Sequence, residues 1–270
     1  MKLYKGSKFV ITVRPTLPFT SIFSSGTTAR AFDAGDVLFD WASFKFPKNP
    51  FGAKLTNITT IVQGLDQSRV EEGLELYFAQ ANPDGTAPPS FGVPDSAVTA
   101  LEGGYFRNLL GHVSVTEDNF DDSLLYHAIA QTDASRSATA DVNGPGMVLG
   151  SEALTSNDQD TYTHLYVAAT CIGTPGFATN LVKNAGATAA STSESTITLQ
   201  TGDPRMVFSI GDTVHAHDGV RVGKVVGFGS DAALTDAATK FRVDKIENAL
   251  AAADELINLQ PITLRLSFES

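Results

Sequence analysis

Two histidines separated by one residue, His215 and His217, are the pattern in this sequence that most directly suggests chemistry. Residues two apart on a β-strand lie on one face, and two imidazoles joined by a carboxylate such as Asp218 can bind a transition metal. The pair runs straight into Asp218-Gly219, a dipeptide that is typical of hairpin turns. The sequence therefore favours two histidines at an exposed turn, and we predict no metal site.

A second cluster, at residues 117–122, combines four carboxylates with an amide in the order Glu-Asp-Asn-Phe-Asp-Asp. Loops rich in Asp and Asn supply the oxygen ligands that Ca²⁺ prefers. This cluster lacks the ligand positions of an EF-hand loop and its late glutamate. A solvated acidic turn is therefore the favoured interpretation.

The sequence contains no local pattern for nucleophilic or phosphate chemistry. Cys171 is the one cysteine, which excludes an intramolecular disulfide, and it follows an apolar run at 165–169, so a buried structural thiol is predicted. No serine lies in a Gly-x-Ser-x-Gly turn, and the glycines of residues 219–224 are spaced for a hairpin rather than for a phosphate loop. We therefore predict no catalytic residues, no cofactor and no enzymatic activity.

Glycoside hydrolysis is the enzymatic alternative that the sequence leaves open, because its paired carboxylates are brought together only by folding. Sugar-cleaving clefts usually stack aromatic rings on their substrate, and this chain has one tryptophan, Trp41. A glycan hydrolase is therefore kept as the last of three functional hypotheses.

Composition limits the partners that this chain can have. Its 270 residues carry a formal net charge of −11, and its 19 Lys and Arg residues are scattered. Such a chain repels phosphate backbones, so nucleic-acid binding is not predicted. No stretch approaches the roughly 18 apolar residues of a membrane span, so no membrane partner is predicted. The apolar run at 9–11 is too short for a signal peptide, which predicts synthesis in a cytoplasm.

Most of the chain has the pattern of short β-strands. The clearest is the strict alternation of residues 262–269, which places apolar side chains on one face and polar side chains on the other. Further strands are predicted from apolar runs bounded by turn residues, at residues 9–13, 36–40, 55–62, 74–78, 110–116, 146–150, 165–172, 196–199, 207–208, 212–215, 220–226 and 241–243. One or two helical turns are predicted at residues 95–102, with Asp95 as N-cap, and at residues 248–256.

These elements predict an all-β fold whose body is an antiparallel β-sandwich or jelly roll, because turn signals recur about every eight to twelve residues. Alternating helices of the βαβ type are absent. The polar, small-residue stretch 184–193 is predicted to be a connector, and a compact set of strands follows it. We therefore predict a sandwich body at residues 1–182 plus 259–270, and a small β-barrel-like module at residues 183–258, inserted before the C-terminal strand.

A series of short segments follows a recognisable order along the chain. They are the strand ending at Arg14-Pro-Thr16, then 34–40, 58–62 with Leu65-Asp-Gln67, 74–78, 110–115, 165–169 with Gly173-Thr-Pro175, and the alternating strand at the end. This order resembles a group of small structural proteins from tailed bacteriophages, over about residues 1–182 and 259–270. The stretch 210–225, with 249–256, is similar to small barrel modules of phage virion proteins.

The resemblance implies a structural role in the virion, as a capsid decoration or cement protein that binds and stabilises the major capsid protein lattice. It implies the major capsid protein as partner, a homo-oligomer with a trimer favoured over a dimer, and a location on the capsid exterior after synthesis in the bacterial cytoplasm. The alternative is a head-fibre or tail component that binds host-surface glycan, with Trp41 as the residue to test. Polar loops at 21–34 and 83–94 are candidate arms for such contacts.

Overall fold

The computed structural model describes residues 7–18, 32–47, 53–63, 73–82, 84–99, 108–120, 127–133, 148–149, 162–176, 182–230 and 234–269. Within these ranges the chain forms fifteen β-strands, one single-turn helix and one 3₁₀ turn at Glu117–Asn119. The strands and the helix are β1 (Lys8–Val13), β2 (Val37–Pro47), β3 (Ala53–Gln63), β4 (Leu74–Gln80), β5 (Leu109–Val115), β6 (His127–Asp133), β7 (Val148–Leu149), β8 (Tyr162–Cys171), β9 (Val182–Asn184), β10 (Ser195–Thr201), α1 (Pro204–Val207), β11 (Thr213–Ala216), β12 (Arg221–Phe228), β13 (Lys240–Val243), β14 (Glu255–Ile257) and β15 (Ile262–Glu269). No helix in the described ranges is long and apolar enough to cross a membrane.

The body consists of two antiparallel sheets. The first sheet has the order β1-β15-β3-β6, with β7 paired to the start of β3, and the second has the order β2-β8-β4-β5. Strand β15 is hydrogen-bonded to β1 on one side and to β3 on the other. The C-terminal strand is therefore a central strand, and its alternate side chains from Ile262 to Phe268 point into the core, with at most 1% exposure.

The core of the body lies between the inner faces of these sheets. Phe46 of β2 packs edge-on against Phe268 of β15, with ring centroids 5.2 Å apart. Phe78 of β4 and Ile58 of β3 belong to the same buried cluster. Removing an apolar side chain of this size from water contributes about 1.5–3 kcal/mol. The alternation that the sequence shows in β15 is thus the pattern of one sandwich face.

A closed six-stranded barrel is inserted between β8 and β15, with the strand order β10-β13-β12-β11-β14-β9. Its interior is filled by short apolar side chains from every strand and by the stacked pair Phe208 and Phe241, whose centroids lie 5.5 Å apart. The predicted all-β fold, an antiparallel sandwich with a barrel-like insertion before the C-terminal strand, is confirmed. The buried clusters of barrel and sandwich are continuous with each other.

Neither of the two predicted helices is formed in the described residues. Asp95 has a φ of 64°, and Ala97 makes a β-bridge with Asp36. In the second segment Leu250 bridges Thr188, and Ala253 has a φ of 65°. Both segments therefore form single β-bridges with residues distant in sequence instead of closing local i to i+4 bonds, and tertiary pairing overrides helix propensity. Strands β6, β9 and β14 were not predicted, and the strand predicted at residues 207–208 is instead the end of α1 and its C-cap.

Candidate binding surface

The barrel and the sandwich meet at a polar seam that is anchored by the carboxylate of Asp212. Asp212 precedes β11, and its side chain is 1% exposed. Its Oδ1 accepts a 2.6 Å hydrogen bond from Nη1 of Arg14, the residue directly after β1. The backbone N–H of Ser209 donates to its Oδ2 at 2.8 Å. A buried carboxylate held by charge-assisted bonds thus joins the two units.

Two side-chain amides extend the seam. The buried carboxamide of Asn258 donates from Nδ2 to Oδ2 of Asp212 at 2.9 Å and to the carbonyl oxygen of Val207 at 3.1 Å. Gln63, at the end of β3, donates from Nε2 to Oγ of Ser209 at 2.7 Å. Hydrogen-bonded polar groups inside a protein specify one packing arrangement. The seam therefore holds the barrel in one orientation on the sandwich.

The segment after β1 is tied to the segment before β15 by a second set of contacts. Arg14 donates from Nη2 to the carbonyl oxygen of Gln260 at 3.0 Å. Gln260 donates from Nε2 to Oγ1 of Thr16 at 3.1 Å. The N–H of Leu17 donates to the carbonyl oxygen of Leu259 at 2.8 Å. These bonds fix the position of Thr16 beside the seam.

An open groove of about 400 Å³ runs along the seam. Two of its lining residues, His215 and Arg221, come from neighbouring strands of the barrel. The full lining, here named the seam groove, consists of Thr16, Thr213, His215, Arg221, Asn258, Leu259 and Gln260. Both units therefore contribute walls, and the groove exists only when the barrel is docked.

His215 is a half-buried residue of β11. Burial lowers the pKa of its imidazole below the ordinary value of 6.5, and the positive charge of Arg221 lowers the pKa further. Its Nδ1 is buried, and an interaction with the backbone of Thr213 partly offsets the lowering of the pKa. The imidazole is therefore neutral at neutral pH, and it can act as a hydrogen-bonding group in the groove rather than as a charge.

His217 lies in the turn after β11, as predicted, but it is only partly exposed, and His215 lies in the strand, so the prediction that both histidines sit at an exposed turn is wrong for His215. Asp218 accepts a 2.9 Å hydrogen bond from the N–H of Val220, so its carboxylate closes the turn. Strands β11 and β12 then pair as a hairpin. Among the described residues, no group of three or more His, Cys, Asp and Glu is placed to hold a metal ion. His215, His217 and Asp218 are thus not brought together as a ligand set.

The acidic cluster also forms a turn, as far as the structure describes it. Oδ1 of Asn119 accepts hydrogen bonds from the N–H of Thr116 at 2.8 Å and from its hydroxyl at 3.1 Å. Glu117 and Asp118 are exposed. The predicted solvated acidic turn is confirmed for these residues, while residues 121 and 122 lie outside the described part of the chain.

Trp41 lies on the outer face of the second sheet. The pairing of β2 with β8 is irregular between Phe39 and Ala42, and such a bulge re-aims the side chain it contains. Trp41 consequently packs outside the sandwich core, edge-on to Phe91 at a centroid distance of 5.1 Å. Its Nε1 donates to the carbonyl oxygen of Pro89 at 2.8 Å. The loop at residues 84–99 therefore covers part of this face.

A second open groove, of about 600 Å³, lies beside Trp41. It separates residues 14–18 from the loop at 90–94, and Val93 on its rim is 69% exposed. The carboxylate of Asp40 in its wall accepts hydrogen bonds from the Ser90 hydroxyl at 2.6 Å and from the N–H of Phe91 at 2.7 Å. We call this the tryptophan groove; much of its polar lining is already engaged by its own loop.

A row of aromatic rings continues from Trp41 across the second sheet. Phe91 contacts Tyr77 at 4.9 Å between centroids, and Tyr77 stacks on His112 at 5.8 Å. Burial raises the pKa of the Tyr77 phenol. Nδ1 of His112 pairs with the carboxylate of Glu75. The row therefore ends at β5 in an exposed imidazole that is hydrogen-bonded to Glu75.

The cysteine and the buried carboxylate that could have had a chemical role both occupy structural positions. Cys171 is buried, as predicted. Asp212 is the only carboxylate among the buried side chains of the described residues, and it is engaged by Arg14. The seam itself was missed by sequence reasoning, because Arg14 and Asp212 are 198 positions apart and no local pattern marks either residue.

No protein-family model matches this chain, and no curated protein matches it either. Among solved structures, the chain is similar to the VP1 pentamer of human polyomavirus 7, with 8% sequence identity over 99% of this chain and 98% of that chain, at a TM-score of 0.19. A TM-score this low does not establish a shared fold. The family of this chain is therefore not given by the comparisons.

Proposed function

We propose that this chain is a structural component of a tailed-bacteriophage virion, a capsid decoration or cement protein that binds the outside of the major capsid protein lattice. The observation that carries the proposal is the seam, because it joins sandwich and barrel into one rigid body. A protein that reinforces a shell must keep its contact points at fixed distances, since a flexible connection transmits no load. The order of segments that resembles phage structural proteins supports the same role.

The surface chemistry is consistent with a wide contact area. The net charge of −11 favours a lattice surface that is basic where the two proteins meet, because complementary charge steers association. Exposed apolar side chains are distributed over both units: Val10 at 60% exposure, Val93 at 69% and Ile210 at 67%. Such residues can supply separate apolar anchors within a polar contact.

We propose further that the chain acts as a homo-oligomer, with a trimer favoured over a dimer, because local three-fold positions recur throughout a capsid lattice and closed symmetric oligomers are the common solution. Native mass spectrometry of the purified protein measures the oligomer in solution, and cryo-electron microscopy of particles measures it on the shell. A monomer in both measurements would contradict this part of the proposal.

Copy number in the particle tests the main proposal. Virions of the phage that encodes this chain are purified, and its peptides are quantified by mass spectrometry against those of the major capsid protein. A ratio within a small factor of one is expected for a protein that covers the lattice. A handful of copies per particle would instead indicate a head fibre or a tail part, and absence from virions would contradict a structural role.

The tryptophan groove favours a second candidate, a head-fibre or tail component that binds glycan. Its partly exposed Trp41 ring lies beside the hydroxyls of Ser43 and Ser90, and sugars are bound by such combinations of aromatic faces and polar groups. A glycan array with the wild type and with Trp41→Ala tests this candidate. Binding that Trp41→Ala abolishes and Val93→Ala retains would support it, whereas no binding by the wild type would dismiss it.

A glycan hydrolase is the third hypothesis, and the absence of enzymatic activity stays a prediction. Incubation of the purified protein with host-surface polysaccharide, followed by an assay for new reducing ends, tests both statements together. New reducing ends that accumulate in proportion to protein concentration would overturn the prediction.

A further inference from the structure

The charge that lines the seam groove is opposite in sign to the net charge of the chain. The sequence has 30 Asp and Glu residues against 19 Lys and Arg. The groove nevertheless contains Arg221 and His215, and no Asp or Glu is among its lining residues. The buried carboxylate beneath it, that of Asp212, is neutralised by Arg14 at 2.6 Å. Because burial keeps the imidazole of His215 neutral and Arg14 is paired with Asp212, Arg221 is the one charged side chain in the lining of the groove, and its charge is positive.

The guanidinium of Arg221 is only weakly engaged. Its side chain is 47% exposed, and its Nη1 lies 3.4 Å from Oε1 of Glu247, a long ion pair. The same Oε1 lies 2.9 Å from Nζ of Lys245, so that carboxylate is shared between two cations. A guanidinium offers several N–H donors in a planar fork. No other described residue gives the Arg221 side chain an acceptor.

Two hydroxyls add further donors to the groove. Oγ1 of Thr16 accepts a hydrogen bond from Gln260, which leaves the hydroxyl hydrogen of Thr16 free to donate. Thr213, the first residue of β11, also lines the groove. The carboxamide of Asn258 is committed to the seam, where it donates to Asp212 and Val207. Asn258 therefore forms the floor of the groove, and its carboxamide does not contact a bound ligand.

We propose that the seam groove binds a carboxylate group, with Arg221 as its main partner and the hydroxyls of Thr16 and Thr213 as additional donors. The planar fork of an arginine matches the two oxygens of a carboxylate, and such pairs are among the strongest hydrogen-bonded contacts. A volume of about 400 Å³ admits a small carboxylic acid or an acidic side chain from another protein chain. Both would bind through the same group, a carboxylate.

Titration with acetate, monitored by NMR of the full-length protein, tests the proposal. Acetate is expected to shift the imidazole signals of His215 saturably and to raise its pKa, because an anion stabilises the protonated ring. Arg221→Gln is expected to weaken acetate binding about tenfold or more, since hydrogen bonds to charged groups contribute about 1.5–3 kcal/mol. Sodium chloride at equal ionic strength is the solution control.

The matched control is Arg242→Gln, because Arg242 is a barrel arginine outside the groove that is already paired with Glu194 at 2.7 Å. This variant is expected to bind acetate as the wild type does, and Thr213→Val is expected to bind it less tightly. An absence of saturation in the wild type, or equal affinities of wild type and Arg221→Gln, would overturn the proposal.

A second arm distinguishes the two sources of the carboxylate. Wild type and Arg221→Gln are compared for binding to virus particles, with and without acetate. Loss of particle binding in the variant, and competition by acetate in the wild type, identify an acidic side chain of a neighbour as the guest. Unchanged particle binding identifies a small carboxylic acid. The acetate titration requires no particles, so its result is independent of the proposed virion role.

Discussion

The sandwich and the barrel differ in how far apart along the chain their paired strands lie. In the sandwich, Lys8 pairs with Glu269. In the barrel, even the closing pair of strands joins only Lys183 to Glu255. Long loops cost entropy to close, and distant pairings slow folding. We therefore expect the barrel to form first and the sandwich to close last, when β15 enters between β1 and β3.

The two units also differ in what fills them. The sandwich core combines aliphatic side chains with six buried phenylalanines: Phe32, Phe39, Phe44, Phe46, Phe78 and Phe268. The barrel core is dominated by aliphatic side chains: Val182, Ile197, Val214, Val222, Val225, Val243, Leu256 and Ile257. A small closed barrel has little interior volume, and beside these aliphatic side chains it holds one pair of rings, Phe208 and Phe241. The sandwich thus contains more large rings at its centre than the barrel, in which close backbone contact adds to the packing of side chains.

The largest expected effect comes from Leu266→Ala in β15. Leu266 is fully buried, and its backbone pairs with both Ile11 and Ile58. Loss of a buried leucine side chain costs about 3–4 kcal/mol of unfolding free energy. Urea denaturation measures the loss, and amide hydrogen exchange is expected to show reduced protection across the first sheet.

The matched barrel variant is Leu256→Ala, which removes the same side chain from an equally buried position. Its reduced protection is expected to be confined to residues 182–257. Both variants could instead lower hydrogen-exchange protection equally throughout the molecule. In that case sandwich and barrel would unfold together, and the expected difference between them would be wrong.

The next effect is expected at the seam, from Asp212→Ala. This change removes the acceptor of Arg14, Ser209 and Asn258. Breaking a buried ion pair costs about 3–5 kcal/mol, and the partial exposure of Arg14 places this case at the lower end, at about 3 kcal/mol. Unfolding is expected to separate into two transitions, one for each unit, in calorimetry.

Glu194→Ala is the control for the seam variant, because it removes a largely exposed partner of Arg242 in the barrel. Exposed ion pairs contribute less than about 1 kcal/mol. A single transition in Asp212→Ala, at the melting temperature of this control, would show that the carboxylate does not couple the units.

A smaller effect is expected from Gly223→Ala in β12. A Cβ at this position would lie 2.2 Å from the carbonyl oxygen of Lys245, so the two backbones can approach only because residue 223 is glycine. Overpacking of this kind costs about 1–3 kcal/mol. Gly186→Ala, where a Cβ meets nothing within 4 Å, is the control. Equal thermal stability of the two variants would show that backbone contact does not limit the barrel.

The smallest effect concerns pH. The folded-state pKa of His215 is lowered from 6.5, so between that lowered pKa and 6.5 the unfolded chain binds more protons than the folded chain. The contribution of His215 to the free energy of unfolding is therefore complete above about pH 6.5. It is lost as the pH falls from 6.5 to the lowered pKa. His215→Gln is expected to reduce the change of unfolding free energy with pH, as measured by urea denaturation between pH 5 and pH 7. An unchanged pH dependence in the variant would show that other groups cause it.

The sequence predicts the strands well because the alternation of residues such as Leu264 and Arg265 is a local property. Alternation reports which face is buried but not which strands lie beside it, so the central place of β15 was not predictable. The helix predictions were wrong where single residues adopt a left-handed backbone, as Asp95 and Ala253 do. Their conformation depends on bridges to Asp36 and Thr188, which are distant in sequence.

The candidate site was less predictable than the fold. The turn position of His217 followed from its neighbours, because Asp218 and Gly219 are turn residues. The seam joins Asp212 to Asn258, 46 positions away, and Gln63 to Ser209, 146 positions away. Ordinary polar residues at such separations carry no periodic signal. Their role appears only when the barrel is docked.

The barrel begins and ends on adjacent antiparallel strands, with Leu256 opposite Val182. The chain therefore leaves the sandwich and returns to it at one place. Insertions with neighbouring ends leave the path of the surrounding strands unchanged, which is why folds tolerate them. The inserted barrel can therefore be replaced without changing the strands of the sandwich. A foreign domain whose ends lie equally close together could be attached at the same place, between β8 and β15.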